Sequence, residues 1–178
     1  MSLQSLVITT MLPVYIPLQL INKSINSFEI PITWQIPTVI LLTLIFQKEV
    51  VLKAFFIYIF LGLFIVPVFH QGGSIGYLLT PNFGYLLGLY PLIKIIDNLN
   101  NRNKINVGNF LKNGFIAIGA MHLTGIFYNF IQIIFYNQYN LFLYNLGKYS
   151  LGKIGYHFLM LFPLLLLIKP IERLKRSK

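Results

Sequence analysis

Long apolar runs, rather than alternating polar and apolar positions, dominate this chain. A helix needs about 20 mainly apolar residues to cross a bilayer. Six runs approach that length, and short polar or basic stretches separate them. The pattern predicts an all-α membrane protein with six transmembrane helices, the last of them ended by Pro170. The predicted spans are residues 6–21, 30–46, 50–69, 82–96, 110–136 and 151–168, followed by a basic tail at 169–178.

Composition supports the same class. Of 178 residues, 56% are hydrophobic and only 10% are charged, whereas a soluble domain carries about 25% charged residues. We therefore expect one integral domain, residues 1–178, that crosses the cell membrane several times. The net charge of +10 does not indicate nucleic-acid binding, because the basic residues are scattered between apolar spans rather than gathered in a stripe.

The distribution of basic residues predicts the orientation. With the N-terminus inside, eleven of the fourteen Lys and Arg residues lie on the inner side and three on the outer side. Cytoplasmic loops carry an excess of Lys and Arg. Both termini are therefore expected in the cytoplasm, and the loop between the third and fourth spans is expected on the outer face.

That outer loop contains the clearest irregular segment of the chain. The third apolar run breaks near Pro67 and continues into His70, Gln71, Gly72 and Gly73. Irregular backbone at membrane depth is tolerated only against protein or water. We expect these four residues and Asn82, at the start of the next helix, to contact a ligand beneath a lid formed by residues 70–81. A solvated hairpin between two helices is the alternative interpretation.

A polar stripe follows one face of the fifth predicted span. His122, Asn129 and Gln132 are spaced by seven and three residues, which places them on one side of a helix. Polar groups inside a membrane usually face the bundle interior or a wet cavity. The stripe is therefore a candidate ligand-binding surface. Hydrogen bonding between packed helices, about 0.6 to 2 kcal/mol per bond, explains it equally well.

No catalytic or metal-binding pattern is present in the sequence. The four acidic residues lie in or beside loops, the three histidines lack metal-ligand spacing, and there is no cysteine. The phosphate-binding Walker sequence is also absent. We therefore expect neither an enzyme nor a cofactor, and any energy for transport must come from partners or gradients.

Several segments resemble the BioY family, the biotin-binding membrane component of energy-coupling factor transporters. The matching pieces are Gly62, the sequence PVF at 67–69, the Gly-Gly pair at 72–73 and PNFGYLLG at 81–88. The sequence PITWQ at 31–35 is similar to the family's Pro-Ile-Thr-x-Gln. The resemblance implies a six-helix substrate-binding component in which Gln35 contacts the ligand.

The resemblance also marks the start of the sixth span. The family carries Pro-Gly-Asp-x-x-Lys there, whereas this chain has LGKIGY at 151–156. Lys153 therefore stands at the Asp position and Tyr156 at the Lys position, and both become candidate ligand-binding residues. Lys153 suits the carboxylate of biotin or of a related small acid. A lysine that extends to the membrane interface is the alternative interpretation.

The implied function is uptake of biotin or a related small vitamin, bound from outside. The implied partners are membrane lipid, a transmembrane coupling protein and two ATPase subunits, and nucleic acid is not among them. A substrate component for a different vitamin and a membrane subunit that does not transport remain alternatives.

Overall fold

A β-hairpin follows the first helix, where the sequence predicted continuous helical spans. The computed structural model describes residues 2–19, 25–69, 72–99, 105–137 and 139–176. Helix α1 covers Ser2–Met11, and the antiparallel strands β1 and β2 cover Pro13–Gln19 and Ile25–Thr33. The all-α prediction was therefore wrong at this point. Proline lacks the backbone N–H and disfavours continuation of a helix, and α1 ends at Met11, shortly before Pro13.

The next two helices are joined by a short connection, Phe46 and Gln47. Helix α2 covers Gln35–Ile45 and α3 covers Lys48–Phe64, so both are shorter than the predicted spans. The residue before a proline is driven towards extended backbone, which ends α3 ahead of Pro67. After α3, the backbone of Phe69 and Gly72 exchanges two hydrogen bonds of 2.9 and 3.1 Å. Gly72 has φ +132°, a conformation that glycine adopts without strain.

The predicted fourth span is two helices rather than one. A 3₁₀ turn over Ile75–Leu79 leads into α4, Pro81–Leu87, and α5, Leu89–Asp97. Gly84 and Gly88 both face the long helix α6, Val107–Tyr136. A Cβ at Gly84 would lie 2.4 Å from Tyr128, and one at Gly88 would lie 2.5 Å from the Met121 carbonyl oxygen. The small residues thus allow close helix packing.

The C-terminal part is helical but irregular. After α6 come α7, Leu141–Asn145, a π-helical segment, Leu146–Leu151, α8, Gly152–Leu159, and α9, Leu161–Arg176. The prediction that Pro170 ends the last helix was wrong, because α9 continues through it. Ile168 and Ile171 are both 4% exposed on either side of Pro170. Their burial holds this part of α9 against the core and outweighs the lost hydrogen bond.

Helix α6 is the centre of the packing and the clearest candidate for a membrane span. It contacts α4, α5, α8 and α9, and its inner face joins the same apolar core as α5. Among the described residues, α6 alone is long and apolar enough to cross a membrane. The helical segments Leu141–Leu159 and Leu161–Arg173 meet at a bend of 42°. If they form a single span, the described residues contain two candidate spans. The six-span count stays a prediction.

Candidate ligand-binding cavity

A cavity of about 340 Å³ lies between the β-hairpin, the surrounding helices and the turn after α3. The turn after α3 comprises the described residues 65–69 and 72–80. Pockets for small molecules typically enclose about 300–1,000 Å³ with mostly apolar walls and a few directed polar groups. The apolar part of the wall is formed by side chains such as Ile36, Leu86 and Met121. The polar lining residues are Thr10, Thr33, Gln35, Tyr58, Tyr77, Asn82, Tyr85, Lys148, Tyr149, Lys153 and His157.

A set of uncharged polar groups, the neutral set, comes from the first three helices and comprises Thr10, Gln35 and Tyr58. The Thr10 hydroxyl donates to the Leu6 carbonyl oxygen at 2.6 Å and therefore accepts from the Tyr58 hydroxyl at 3.0 Å. Gln35 Nε2 donates to the Tyr58 oxygen at 3.4 Å. Because Tyr58 is fully buried, these bonds replace the water it loses. They fix the Gln35 amide at the cavity wall.

A second set, the cationic set, comprises Lys148 from the π-helical segment and Lys153 from α8, with His157 of α8 beside them on the cavity wall. The Lys148 and Lys153 ammonium groups lie 5.3 and 5.7 Å from the centre of the Tyr149 ring. Cations at this distance are attracted to an aromatic face. No carboxylate is among the lining residues, and the ion pair found among the described residues, Lys48–Asp97 at 3.2 Å, is elsewhere. The cationic set therefore favours an anionic ligand group.

Aromatic rings connect the turn after α3 to the cavity. The rings of Phe69 and Tyr77 lie 4.6 Å apart, and Phe69 meets Tyr58 edge-on at 5.3 Å. Burial raises the pKa of the Tyr77 hydroxyl to about 12, so it stays protonated at neutral pH. The same turn is held on α6, because the Leu78 carbonyl oxygen accepts hydrogen bonds from Tyr128 and Gln132.

The predicted site residues divide between the cavity wall and the surrounding structure. Gln35, Asn82 and Lys153 line the cavity. His70 and Gln71 lie outside the described residues. Gly72 and Gly73 belong to the turn after α3 and are not part of the lining, with Gly73 packed against Pro67 and the carbonyl of Gly62. Tyr156 packs beside Val14 and Ile32 and is likewise not part of the lining.

The polar stripe of α6 bonds to neighbouring segments rather than to the cavity. His122 bonds to Ser150 and His157, and Gln132 donates to the Leu78 carbonyl oxygen at 3.0 Å. Asn129 accepts from the Asn145 amide at 3.2 Å. The helical period correctly placed these residues on an inward face. In this structure these residues have the positions that the alternative interpretation, hydrogen bonding between packed helices, describes.

Several lining residues had no signal of their own in the sequence. Thr10 and Tyr58 occur in apolar runs, where Thr and Tyr are unremarkable, and Lys148 and Tyr149 lie outside every predicted span. The π-helical segment turns more widely than an α-helix and changes the direction of the side chains that follow. His157, next to Tyr156, was visible as a polar residue in an apolar span, and that signal could have been used.

The fold has a counterpart among solved structures. A crystal structure of the S-component for biotin from an ECF-type ABC transporter matches this fold with a TM-score of 0.61. The match covers 98% of this chain and 87% of that chain at 16% identity. The family model described as "BioY family" matches residues 3–162. The chain therefore belongs to the BioY family, whose members are membrane transport components rather than enzymes.

A curated relative is similar over a shorter region. The "Probable biotin transporter BioY" of Lysinibacillus sphaericus is 42% identical over 73 residues, which is 41% of this chain. The match spans 37% of that relative's length.

Proposed function

We propose that this chain is the substrate-binding membrane component for uptake of biotin or a closely related small vitamin. The ligand enters from the outer side and binds in the cavity, beneath the loop formed by residues 70–81. Membership of the BioY family and the names of the similar proteins support biotin as the first substrate to test.

The observation that carries the proposal is the chemistry of the cavity wall. Biotin combines a ureido ring, an apolar bicycle and a carboxylate. Within the neutral set the Gln35 amide suits a ureido group, the apolar residues suit the bicycle, and the cationic set suits the carboxylate. Lys153 is partly buried and has no acidic partner among the described residues, so it favours a ligand that supplies the negative charge.

The same wall favours a second candidate, a related vitamin acid other than biotin. Lys153 lines the cavity at the position where the family carries Asp. A cation in place of a carboxylate changes which ligand groups can bind there. Native mass spectrometry of the purified protein, followed by thermal-shift measurements with a panel of vitamins, distinguishes the two candidates.

The sequence contains no Walker sequence, so the energy for transport comes from partners or from a gradient. The matched crystal structure is described as a component of an ECF-type ABC transporter. We therefore assign this chain to an assembly with a transmembrane coupling protein and two ATPase subunits. Both termini are then cytoplasmic and the 70–81 loop faces outward.

Uptake of radiolabelled biotin into a biotin auxotroph tests the proposal. Expression of the chain, with the host's coupling components present, should restore accumulation, and Lys153→Met should reduce it at least tenfold. Lys112→Met is the matched control, because Lys112 is exposed on α6 and is not part of the cavity lining. Absence of uptake and of a biotin-induced thermal shift, with the protein present in the membrane, contradicts the assignment to biotin.

A further inference from the structure

Two buried histidines connect α6 to the cavity. His122 Nδ1 lies 2.8 Å from Ser150 Oγ, and His122 Nε2 lies 3.0 Å from His157 Nδ1. His122 is 2% exposed and does not line the cavity, whereas His157 is 7% exposed and does. The Tyr85 ring packs edge-on against His122 at 5.6 Å. His122 is thus held on both ring nitrogens and on one face.

These contacts link the tautomers of the two rings. A neutral imidazole has one N–H donor and one acceptor nitrogen. If His122 carries its proton on Nε2, it accepts from the Ser150 hydroxyl and donates to His157, whose own proton must then be on Nε2. In the opposite arrangement, His122 donates to Ser150, and His157 Nε2 becomes an acceptor. The two rings cannot both be imidazolium, because one nitrogen at the shared bond must accept.

The charge of the cavity wall selects between the two arrangements. Lys148 and Lys153 lie on the same wall as His157, and no carboxylate is among the lining residues in the described part of the chain. A ligand anion attracted by these lysines interacts favourably with His157 only if the cavity-facing nitrogen of His157 carries a proton and donates it in a hydrogen bond. The opposite arrangement would place an acceptor lone pair beside the anion. In the donor arrangement Ser150 donates to His122, His122 donates to His157, and His157 donates to the ligand.

We propose that His122 is a positioning residue that fixes His157 as a hydrogen-bond donor to the carboxylate of the bound ligand. Ser150 completes this chain of bonds, because its hydroxyl can donate to His122 Nδ1. The proposal rests on the proposed function, because it assumes that the cavity binds the transported acid. It assigns His122 a role through His157 rather than direct contact with the ligand.

The experiment compares binding of biotin with that of biotinamide, which lacks the negative charge, by titration calorimetry in lipid nanodiscs. The wild-type protein should prefer the acid at least tenfold. His122→Phe, which retains an aromatic ring but removes both hydrogen bonds, should lose most of that preference. His122→Gln should restore it, because the Gln amide nitrogen can donate from the position of Nε2. Thr124→Val is the control on the same helix, since Thr124 donates only to Ala120 O at 2.9 Å.

Nitrogen NMR of labelled histidine provides a readout that a merely structural role would not change. His157 should carry its proton on Nε2 in the wild-type protein and should show a mixture of tautomers in His122→Phe. A proton fixed on Nδ1 of His157 overturns the proposal, and so does an acid preference that survives in His122→Phe. Binding of biotin in either case leaves the proposed function intact.

A second pair of probes, lipoate and lipoamide, separates the two proposals. If neither biotin nor its amide binds, but lipoate is preferred over lipoamide and the preference depends on His122, the positioning role stands and the assignment to biotin fails.

Discussion

The turn after α3 is held on α6 by a carbonyl group that two side chains share. The Leu78 oxygen accepts from the Tyr128 hydroxyl at 2.5 Å and from Gln132 Nε2 at 3.0 Å. Removing one donor leaves the carbonyl paired with the other, so each single variant should cost about 0.5–1 kcal/mol. Removing both leaves the oxygen unpaired. The double variant Tyr128→Phe/Gln132→Leu should therefore cost more than the sum, about 2–3 kcal/mol.

Hydrogen exchange of the turn measures this cost directly. The amides of Tyr77 and Thr80 are protected by bonds of 3.0 Å to the carbonyl oxygens of Ser74 and Tyr77. Local opening of the turn exposes them to exchange. Each single variant should accelerate their exchange about twofold to fivefold, and the double variant at least about thirtyfold.

The control for this experiment is Tyr136→Phe, which changes an exposed tyrosine on the same helix. It should leave the exchange rates of Tyr77 and Thr80 unchanged. Strict additivity of the two single variants would refute the shared-acceptor argument. Unchanged exchange in the double variant would show that the turn is held by its aromatic contacts instead.

Two further predictions concern packing and surface charge. Gly84→Ala should lower the free energy of unfolding of the detergent-solubilised protein by about 1–3 kcal/mol, because the added Cβ would lie 2.4 Å from Tyr128. Gly119→Ala, where the added Cβ meets nothing within 4 Å, should leave stability unchanged or raise it, and an equal loss in both would contradict the packing argument. Asp97→Asn removes the partly exposed ion pair with Lys48 and should cost less than about 1 kcal/mol at low salt and nothing measurable at high salt. A larger or salt-independent loss would indicate that Asp97 has a structural role beyond this pair.

The irregular backbone after α3 was predictable because proline and glycine act locally. Pro67 predicted the break after α3, and the Gly-Gly pair predicted a turn that the structure closes between Phe69 and Gly72. By contrast, Pro13 and Pro17 lie inside the predicted span 6–21, where the structure has the end of α1 and the strand β1 instead. A strand is stabilised by its cross-strand partners, here from Gln19 opposite Ile25 to Pro13 opposite Thr33, and the apolar content of either segment alone does not specify that pairing.

The sequence alone determined that this chain is a helical membrane protein with polar groups on inward faces. Apolar length and the 3.6-residue period are properties of each segment by itself. Only the tertiary structure decided which inward groups reach the cavity. His122 and His157 both point inward, yet only His157 of the two lines the cavity, and His122 forms a hydrogen bond with His157. That difference depends on how α6, the π-helical segment and α8 pack together, and no single segment encodes the position of its neighbours.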